Sequence, residues 1–322
     1  GGSAAAIGCI EGVRSVDKTG EIILITGETE WNYSRPLISY LLEGKTTRDK
    51  MWCRPDSFFT RNGVTVKAGV LATTLDAGDR TVRLSTGERL AYDRLLAATG
   101  SRPFVPPIPG LETVERTFCF QTLSDASALA EALRPESRVL ILGAGLTGVK
   151  CAEGIRGLCA QIAIADLAPR VLPAVLDDTA AAMVQARMEE KGVRFYLNDS
   201  AAAFRGNTAR LQSGTELEFD VLVTAVGVRP NTQLVADAGG AVDRGILVDG
   251  RCATTLPDVY AAGDCAQGYD AVSGEKRMLP LWPNAVLQGE TAGINMAGGR
   301  ADYTQGIALN ASGVFGLHMV TA

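Results

Sequence analysis

The segment that most restricts the fold of this chain is RVLILGAGLTGVKCAEGIRGLCAQIAIAD, residues 138–166. An apolar strand, a G-x-G-x-x-G turn, an apolar helix and a second strand in this order predict a β-α-β unit. In such a turn Gly143 permits the sharp bend, Gly145 lets the backbone approach a pyrophosphate, and Gly148 lets helix and strand pack closely. The helix N-terminus then faces the phosphates. The sequence therefore predicts a dinucleotide-binding domain of the doubly wound α/β class, with its first strand over residues 138–142.

The nature of the dinucleotide is indicated by Asp166, the last residue of the second strand. It follows the turn by about 20 residues, where a carboxylate can accept both ribose hydroxyls of an unphosphorylated adenosine. NADH is therefore favoured over NADPH. Arg170 lies close enough in sequence to meet a 2′-phosphate, so NADPH stays a less favoured alternative.

The first residues of the chain, GGSAAAIGCIEGVR, have the form of a second glycine-rich turn without its preceding strand. Gly1, Ser3 and Ala6 occupy the three glycine positions, an apolar helix follows, and the strand IILIT leads to Glu28. Ser3 and Ala6 are small enough for this role but have less backbone freedom than glycine. This pattern alone leaves open either a phosphate site or simple helix packing.

Three later segments have a related form. The segments at 92–103 (YDRLLAATGSRP) and 219–231 (FDVLVTAVGVRPN) each contain a buried-type strand, a glycine and an Arg-Pro pair, which suggests duplicated domains. The segment TTLPDVYAAGDCAQ is a strand that ends near Asp264. Because ligands bind at strand ends in doubly wound sheets, Asp264 is placed to accept a polyol hydroxyl. A turn or helix-cap aspartate would give the same pattern.

Composition excludes several classes of function. A net charge of −5 and a pI near 5.2 argue against nucleic acid or an anionic membrane as the main partner, and no apolar run reaches membrane-spanning length. The seven cysteines are scattered without a C-x-x-C pair, which predicts a reduced, cytoplasmic chain with no dithiol centre. His318 is the only histidine, so the sequence predicts no metal site and no Ser-His catalysis.

In chain order, GGSAAA, NYSRPLISY, ATGSRP, GAGLTG, AVGVRPN and VYAAGDCA resemble the FAD-dependent pyridine nucleotide-disulfide oxidoreductase superfamily. The resemblance covers essentially the whole chain and is greatest to reductases that feed rubredoxin or ferredoxin, and to the flavin domain of assimilatory nitrite reductase. It implies two Rossmann-like three-layer domains of the ββα type. The FAD-binding domain would comprise 1–112 and 238–322, and the inserted NAD(H)-binding domain 113–237. A C-terminal interface domain, through which relatives form oligomers, would begin near the end of the sequence.

The resemblance also implies the site residues. For FAD these are Gly1, Ser3, Ala4 and Ala5 at the pyrophosphate, Glu28 at the adenosine ribose, Arg35 and Pro36 against the flavin, Ala98, Thr99 and Gly100 along the cofactor, Gly263 and Asp264 at the ribitol chain, and Asn284 and Ala285 near the flavin pyrimidine. For NADH they are Gly143, Gly145, Leu146, Thr147, Asp166 and Gly227. A helix starting near WPNAVLQGE would stabilise the negative charge of a reduced flavin by up to about 2 kcal/mol.

The departures from the family pattern narrow the activity. Members that reduce disulfides carry a redox cysteine where this chain has YSRPLISYLLEG, so the sequence argues against disulfide reduction and against reduction of oxygen to water. Many relatives pair a lysine six positions into the Arg-Pro motif with a glutamate two residues after the last NAD-site glycine. Tyr40 and Lys150 stand at these positions here. Lys150 is the single catalytic candidate, either orienting the nicotinamide or a flavin carbonyl, or lying on the helix surface.

The resemblance predicts an enzyme that passes electrons from NADH through FAD to an external one-electron acceptor such as rubredoxin or ferredoxin. An NADH oxidase that forms hydrogen peroxide and a flavin-binding subunit of a larger redox complex are the alternatives. Acidic acceptors call for a local basic patch. The segment GKTTRDKMWCR offers one, or is an ordinary solvated surface; its basic and aromatic residues are Lys45, Arg48, Lys50, Trp52 and Arg54.

Overall fold

The computed structural model describes residues 1–321. Its α-helices are α1 Ala4–Val16, α2 Ile38–Leu42, α3 Asp56–Arg61, α4 Leu123–Ala132, α5 Leu146–Ile155, α6 Asp178–Glu190, α7 Gln233–Ala236 and α8 Trp282–Met296. Its strands are β1 Ile22–Thr26, β2 Val64–Ala68, β3 Ala72–Asp76, β4 Thr81–Leu84, β5 Arg89–Ala91, β6 Leu95–Ala97, β7 Ser101–Pro103, β8 Thr117–Phe118, β9 Arg138–Leu142, β10 Gln161–Asp166, β11 Val193–Leu197, β12 Ala201–Arg205, β13 Thr208–Leu211, β14 Glu216–Glu218, β15 Val221–Thr224, β16 Val228–Pro230, β17 Ile246–Leu247, β18 Val259–Ala261, β19 Ala266–Tyr269, β20 Lys276–Met278, β21 Asn310–Val314 and β22 Leu317–Thr321.

The chain divides into two compact units, each built from separate stretches of sequence. Unit 1 comprises 1–34, 52–101 and 230–309, and unit 2 comprises 35–51, 102–229 and the residues from 310 on. The units differ from the predicted domains mainly at 35–51 and after 309, which cluster with unit 2. The boundaries 1–112, 113–237 and 238–322 therefore stay a prediction about the domains.

Unit 2 contains a parallel five-stranded sheet in the order β11-β10-β9-β15-β8. The antiparallel sheet β12-β13-β14 covers one face, where Phe204 and Leu211 pack against Leu140 and Leu222 of the parallel strands. Helices α4, α5 and α6 contact strands of the parallel sheet. After the half-buried Arg138, the side chains of 139–142 are all buried, which explains why the rest of β9 is apolar. This arrangement confirms the predicted three-layer ββα architecture and the predicted strand over Arg138–Leu142.

Unit 1 has short parallel pairs, β1-β2 and β6-β18, and the antiparallel sheet β3-β4-β5. Leu75 of β3 packs in one core cluster with Ala97 of β6 and with Val259 and Ala261 of β18. Strand β1 ends at Thr26, two residues before Glu28, as the sequence predicts for a strand leading to the ribose-binding carboxylate.

Helices α1 and α8 of unit 1 pack backbone to backbone. A Cβ atom added at Gly8 or Gly12 of α1 would collide with the backbone of α8, and one added at Gly289 or Gly293 would collide with the backbone of α1. The two G-x-x-x-G spacings therefore permit a helix contact that any larger residue would separate. This contact fixes the relative position of the α1 and α8 N-termini, both of which lie at predicted flavin positions.

No helix within residues 1–321 combines the length and the apolar character needed to cross a membrane.

Candidate cofactor-binding sites

The glycine-rich turn of unit 2 connects β9 to α5. Gly143 has a φ of 109° and donates its N–H to Ala165 O at 2.8 Å, which ties the turn to β10. A Cβ at Gly148 would collide with Gly143 O, so helix and turn approach as closely as the motif predicts. At Gly145, in contrast, an added Cβ would meet no atom within 4 Å. The backbone at Gly145 therefore borders open space, as a phosphate-binding turn requires.

Asp166 lies at the carboxyl end of β10 and helps to hold this turn. Its carboxylate accepts the N–H of Ala144 at 2.6 Å and the N–H of Ala168 at 2.7 Å, one at each oxygen. Each oxygen keeps capacity for a further hydrogen bond, which suits a pair of ribose hydroxyls. The nearby Arg170 side chain is already engaged, since it donates to Leu176 O at 3.1 Å and pairs with Asp178 at 3.0 Å.

Side-chain capping separates the helices into two groups. Among the described helices of ten or more residues, α4 and α6 have side-chain N-caps, from Thr122 and Asp177 respectively. The other three, α1, α5 and α8, have no side-chain cap and no acidic residue in the first turn. These three are the helices predicted to face FAD or NADH. Their first-turn N–H groups, including those of Leu146 and Thr147 in α5, have the character of an anion site.

The start of the chain packs closely against β6 within unit 1. A Cβ at Gly1 would lie 2.5 Å from Ala98 O, so only glycine fits there. Ala4 and Ala5 are buried in the first turn of α1, and Ser3 precedes it as the N-cap residue. Beyond β1, Glu28 accepts a hydrogen bond from the Tyr33 hydroxyl at 2.6 Å, which orients its carboxylate.

The exit of β6 is fixed by a residue that the sequence reasoning missed. The Thr99 hydroxyl donates to Asn231 O at 2.6 Å, and the Asn231 side chain donates to Thr99 O at 2.9 Å. The N–H of Asn231 also bonds to Gly100 O at 2.9 Å. Asn231 follows the second Arg-Pro pair, and that position was the available signal. These three bonds hold the predicted cofactor-lining segment in place.

The Gly263–Asp264 loop is held by two further residues that were not predicted. Gln288 of α8 is buried, and its side-chain oxygen accepts the N–H of Gly263 at 2.7 Å. Ser101 donates its hydroxyl to the Asp264 carboxylate at 3.0 Å. Gly263 has a φ of 80°, a conformation that favours glycine. Asp264 is thus oriented by a side chain and is not a helix cap, because no described helix starts there.

The two predicted flavin positions at the start of α8, Asn284 and Ala285, both make hydrogen bonds within unit 1. The Asn284 side chain is buried and donates to Ile307 O at 2.9 Å, so it braces the neighbouring loop. The N–H of Ala285 bonds to Leu281 O at 3.0 Å within the helix. The N–H groups of α8 that have no acceptor within the helix are therefore those of its first turn, before Ala285.

Gly227, Arg35 and Pro36 lie in unit 2. Gly227 follows β15, has a φ of 113° and accepts the N–H of Phe104 at 2.9 Å. Arg35 donates to Gln121 O at 3.0 Å, and Pro36 lies in the same single helical turn, directly before α2. The structure thus anchors the Arg-Pro segment to the residues that precede α4.

Lys150, the catalytic candidate, is not a helix-surface lysine, because only 13% of its side chain is exposed. Its ammonium pairs with Glu153 one turn further along α5, donates to Gly313 O at 3.0 Å and lies 4.3 Å from the centre of the Tyr40 ring. The two family positions are therefore in contact here, through a cation–π interaction where many relatives have an ion pair.

Comparison with known proteins agrees with this geometry. The family model of pyridine nucleotide-disulphide oxidoreductases matches residues 1–289. The chain belongs to this family. Over the full chain it is 33% identical to the epsilon subunit of the NADH-dependent phenylglyoxylate dehydrogenase of Aromatoleum evansii, covering 77% of that protein.

Two further similarities concern reductases of small redox proteins. The chain is 28% identical to rubredoxin-NAD(+) reductase of Pseudomonas putida, with 92% of this chain and 79% of that protein covered. It superimposes on a chain from the covalent putidaredoxin reductase–putidaredoxin complex with a TM-score of 0.88 and 25% identity, covering 97% of this chain and 76% of that one. Members of the family are NAD(P)H-dependent flavoprotein oxidoreductases, so this chain is an enzyme that uses a flavin and a nicotinamide nucleotide.

The cysteines show how this member differs from disulfide-reducing ones. All seven are free, and burial raises the pKa of Cys9 and Cys252 to about 12 and that of Cys53 and Cys159 to about 11. These thiols stay protonated at neutral pH and are poor nucleophiles. Within residues 1–321 no cluster of metal-ligating side chains occurs.

Proposed function

We propose that this protein oxidises NADH through bound FAD and passes the electrons singly to a docked redox protein of the rubredoxin or ferredoxin type. The observation that carries the proposal is the set of three long helices without side-chain caps, α1, α5 and α8, at the predicted phosphate and flavin positions. Two phosphate-binding helices suit two dinucleotides, and the third suits a group that gains negative charge.

The preference for NADH rests on Asp166 and on the engagement of Arg170. A carboxylate at the end of β10 accepts ribose hydroxyls but repels a 2′-phosphate. The one arginine that the sequence offers for that phosphate is bonded to Asp178 and to Leu176 O. Its guanidinium is therefore engaged within unit 2, and meeting a 2′-phosphate would compete with these two bonds.

The choice of FAD over FMN rests on the chain start. A cradle for a pyrophosphate is supported by the close approach of Gly1 to Ala98 O and by the uncapped first turn of α1. Glu28, oriented by Tyr33, stands where the second strand of a dinucleotide fold binds an adenosine ribose. FMN has neither an adenosine nor a pyrophosphate, so these features would have no partner with it.

The residues of the chain would bind the two cofactors, orient them and stabilise the charge of the reduced flavin. Asp166 and the α5 first turn would hold NADH, Asp264 the ribitol chain, and the α8 first turn the flavin pyrimidine. When bound, the flavin supplies the conversion of a two-electron hydride donor into one-electron steps. The acceptor of these electrons would be a docked redox protein, as the names of the similar reductases indicate. We also propose a cytoplasmic location, because seven free cysteines suit a reducing compartment.

A redox-protein acceptor is supported by the names of the reductases to which this chain is similar. For the docking surface we propose the basic segment at 45–50 of unit 2. Lys45 is bonded to Glu43 at 2.8 Å, which raises the pKa of Lys45, and Arg48 donates to the Ser127 hydroxyl at 2.8 Å. Arg54, also predicted for this patch, pairs with Glu11 at 2.7 Å. The carboxylates of Glu43 and Glu11 therefore reduce the net charge of the patch, while Lys45, Arg48 and Lys50 are all exposed.

The double substitution Lys45→Glu and Arg48→Glu reverses two charges of the patch. It should slow the reduction of an acidic rubredoxin or ferredoxin by about tenfold at low ionic strength. The effect should shrink at high salt, because screening weakens long-range attraction. NADH-to-dye activity should not change. Lys191→Glu with Arg194→Glu, at the β11 edge of the same unit, is the charge-matched control. Equal loss in both assays, or equal loss in the control, would reject this docking surface.

The two alternative functions are distinguished in the same assay. An NADH oxidase would consume oxygen as fast as it reduces the acceptor protein, and would release hydrogen peroxide. A flavin-binding subunit without turnover would not reduce its flavin with NADH. Fast flavin reduction with slow oxygen consumption is the result that the proposal expects.

A further inference from the structure

Three separate stretches of unit 2 meet at the side chain of Lys150. It lies on α5, one turn after the glycine-rich turn, and its ammonium contacts the Glu153 carboxylate on the same helix. It also donates to Gly313 O at 3.0 Å, in the β21-β22 hairpin, and lies over the ring of Tyr40 in α2 at 4.3 Å. An ammonium has three N–H donors, of which Glu153 and Gly313 O take two, while the Tyr40 ring makes a cation–π contact with the charge itself.

Glu153 extends this junction to the tip of the hairpin. Its side chain is only 3% exposed, and its second oxygen accepts the N–H of Phe315 at 2.6 Å. Phe315 has a φ of 47°, an uncommon value for a side-chain-bearing residue, at the turn between β21 and β22. The carbonyl oxygen of the same residue, Phe315 O, accepts a hydrogen bond from Arg187 of α6 at 3.1 Å. The strained hairpin turn is therefore held by charged groups of two helices.

Helix α2 is held from the other side of the junction. A Cβ at Gly154 of α5 would lie 3.1 Å from Ser39 O, so the two backbones are close. Two ammonium groups lie near the Tyr40 ring, with Lys45 at 5.7 Å from its centre and Lys150 at 4.3 Å. Because α2 directly follows the Arg-Pro segment predicted to touch the flavin, its position sets the position of that segment.

A buried ion pair contributes little to stability compared with apolar residues of the same size, so stability alone does not explain this one. We infer that Lys150 and Glu153 are positioning residues for hydride transfer, which lock α2 and the 310–321 hairpin onto the NADH-binding helix α5. The inference rests on the proposed function and deepens it. Lys150 is largely buried against Tyr40, Gly313 and Glu153, and in this inference it acts through these contacts.

The test compares Lys150→Met, Glu153→Leu and the double variant in the flavin-loaded protein. At saturating NADH, the rate of flavin reduction should be about 10- to 100-fold lower in Lys150→Met than in the wild type. Small misplacements of reacting groups have effects of this size. The dissociation constant of NAD⁺, measured by calorimetry, should change by less than about threefold, because the phosphate turn is untouched. In the same variant, hydrogen exchange at the Phe315 amide should accelerate at least about tenfold, because the Glu153 carboxylate that accepts this N–H has lost its Lys150 partner.

The double variant separates positioning from stability. It removes both charges, so its unfolding temperature should recover most of what each single variant loses. Its flavin reduction should stay slow and the Phe315 amide should stay exposed to exchange, because neither α5 side chain then ties the hairpin to the NADH-binding helix. Lys67→Met, which breaks the exposed Lys67–Glu88 pair of unit 1, is the matched control and should change none of these values.

Two results would overturn the inference. Recovery of the reduction rate together with stability in the double variant would show a purely structural pair. A large rise in the NAD⁺ dissociation constant of Lys150→Met, parallel to the loss of rate, would show direct contact with the nucleotide. If instead the wild-type protein does not reduce its flavin with NADH, the proposed function fails, whereas the exchange measurement still tests the junction.

Discussion

Replacing Gly145 by valine is expected to leave unit 2 folded and to weaken NADH binding by about 100-fold, which corresponds to about 2.7 kcal/mol. The backbone at Gly145 has φ −74° and ψ 179°, which valine adopts without strain. A Cβ there meets no protein atom within 4 Å, so the substitution creates no collision in the folded chain. The new side chain would lie where the motif requires the pyrophosphate to approach the backbone. The NADH concentration dependence of flavin reduction measures the effect.

Gly157→Val is the matched control for this substitution. Gly157 follows α5 in the same unit, and an added Cβ there also meets nothing within 4 Å. It should alter neither NADH binding nor the unfolding temperature beyond the range of ordinary surface substitutions, about 0.5 kcal/mol. Tight NADH binding by the Gly145→Val protein would show that the nucleotide does not cross this turn.

Replacing Gly289 by leucine is expected to disrupt unit 1 and to release its flavin. The added side chain would collide with the backbone of Ala5 in α1, and backbone cannot move aside as a flexible side chain can. Separating α1 from α8 should cost about 3 kcal/mol or more, at the upper end of overpacking effects. It also displaces the two helix N-termini predicted to face the cofactor. Flavin fluorescence on release and the midpoint of thermal unfolding measure both effects.

The control for this prediction is Glu290→Leu, one residue further along the same helix. The backbone of Glu290 also faces Gly8 and Gly12, but its side chain is exposed, so the leucine adds similar bulk outside the helix contact. Its unfolding midpoint should stay close to that of the wild type. If the Gly289→Leu protein retained flavin and stability equal to this control, the α1–α8 contact would not position the cofactor site.

The parts of the fold that the sequence predicts well are those encoded locally. The strand at Arg138–Leu142, the turn after it and the strand ending at Asp166 occur as predicted, because periodicity and glycine spacing lie within one continuous segment. The packing of α1 on α8 was not predicted. Its signal, a G-x-x-x-G spacing in each helix, is present in the sequence, but the two helices are far apart along the chain.

The residues that support the candidate site were harder to predict for the same reason. Gln288 holds Gly263, and Asn231 holds Thr99, across many positions of sequence. The sequence could not reveal that Lys150 would find its partners in α5, α2 and a distant hairpin. Local charge counting also misled, since Lys45 is bonded to Glu43 and is not freely available in the basic segment. Such pairings depend on tertiary packing, which no local pattern encodes.

The central claim is that the chain carries one two-electron centre, reduced by NADH and discharged to an outside acceptor. Anaerobic titration of the flavin-loaded protein with NADH, followed by flavin absorbance, tests it most directly. The predicted result is complete bleaching of the flavin at about one equivalent of NADH. With NADPH as the donor, the rate of flavin reduction should be at least about tenfold lower. Consumption of a second equivalent would reveal a further redox centre, and absence of bleaching would show that the flavin does not turn over, so that either result contradicts the account.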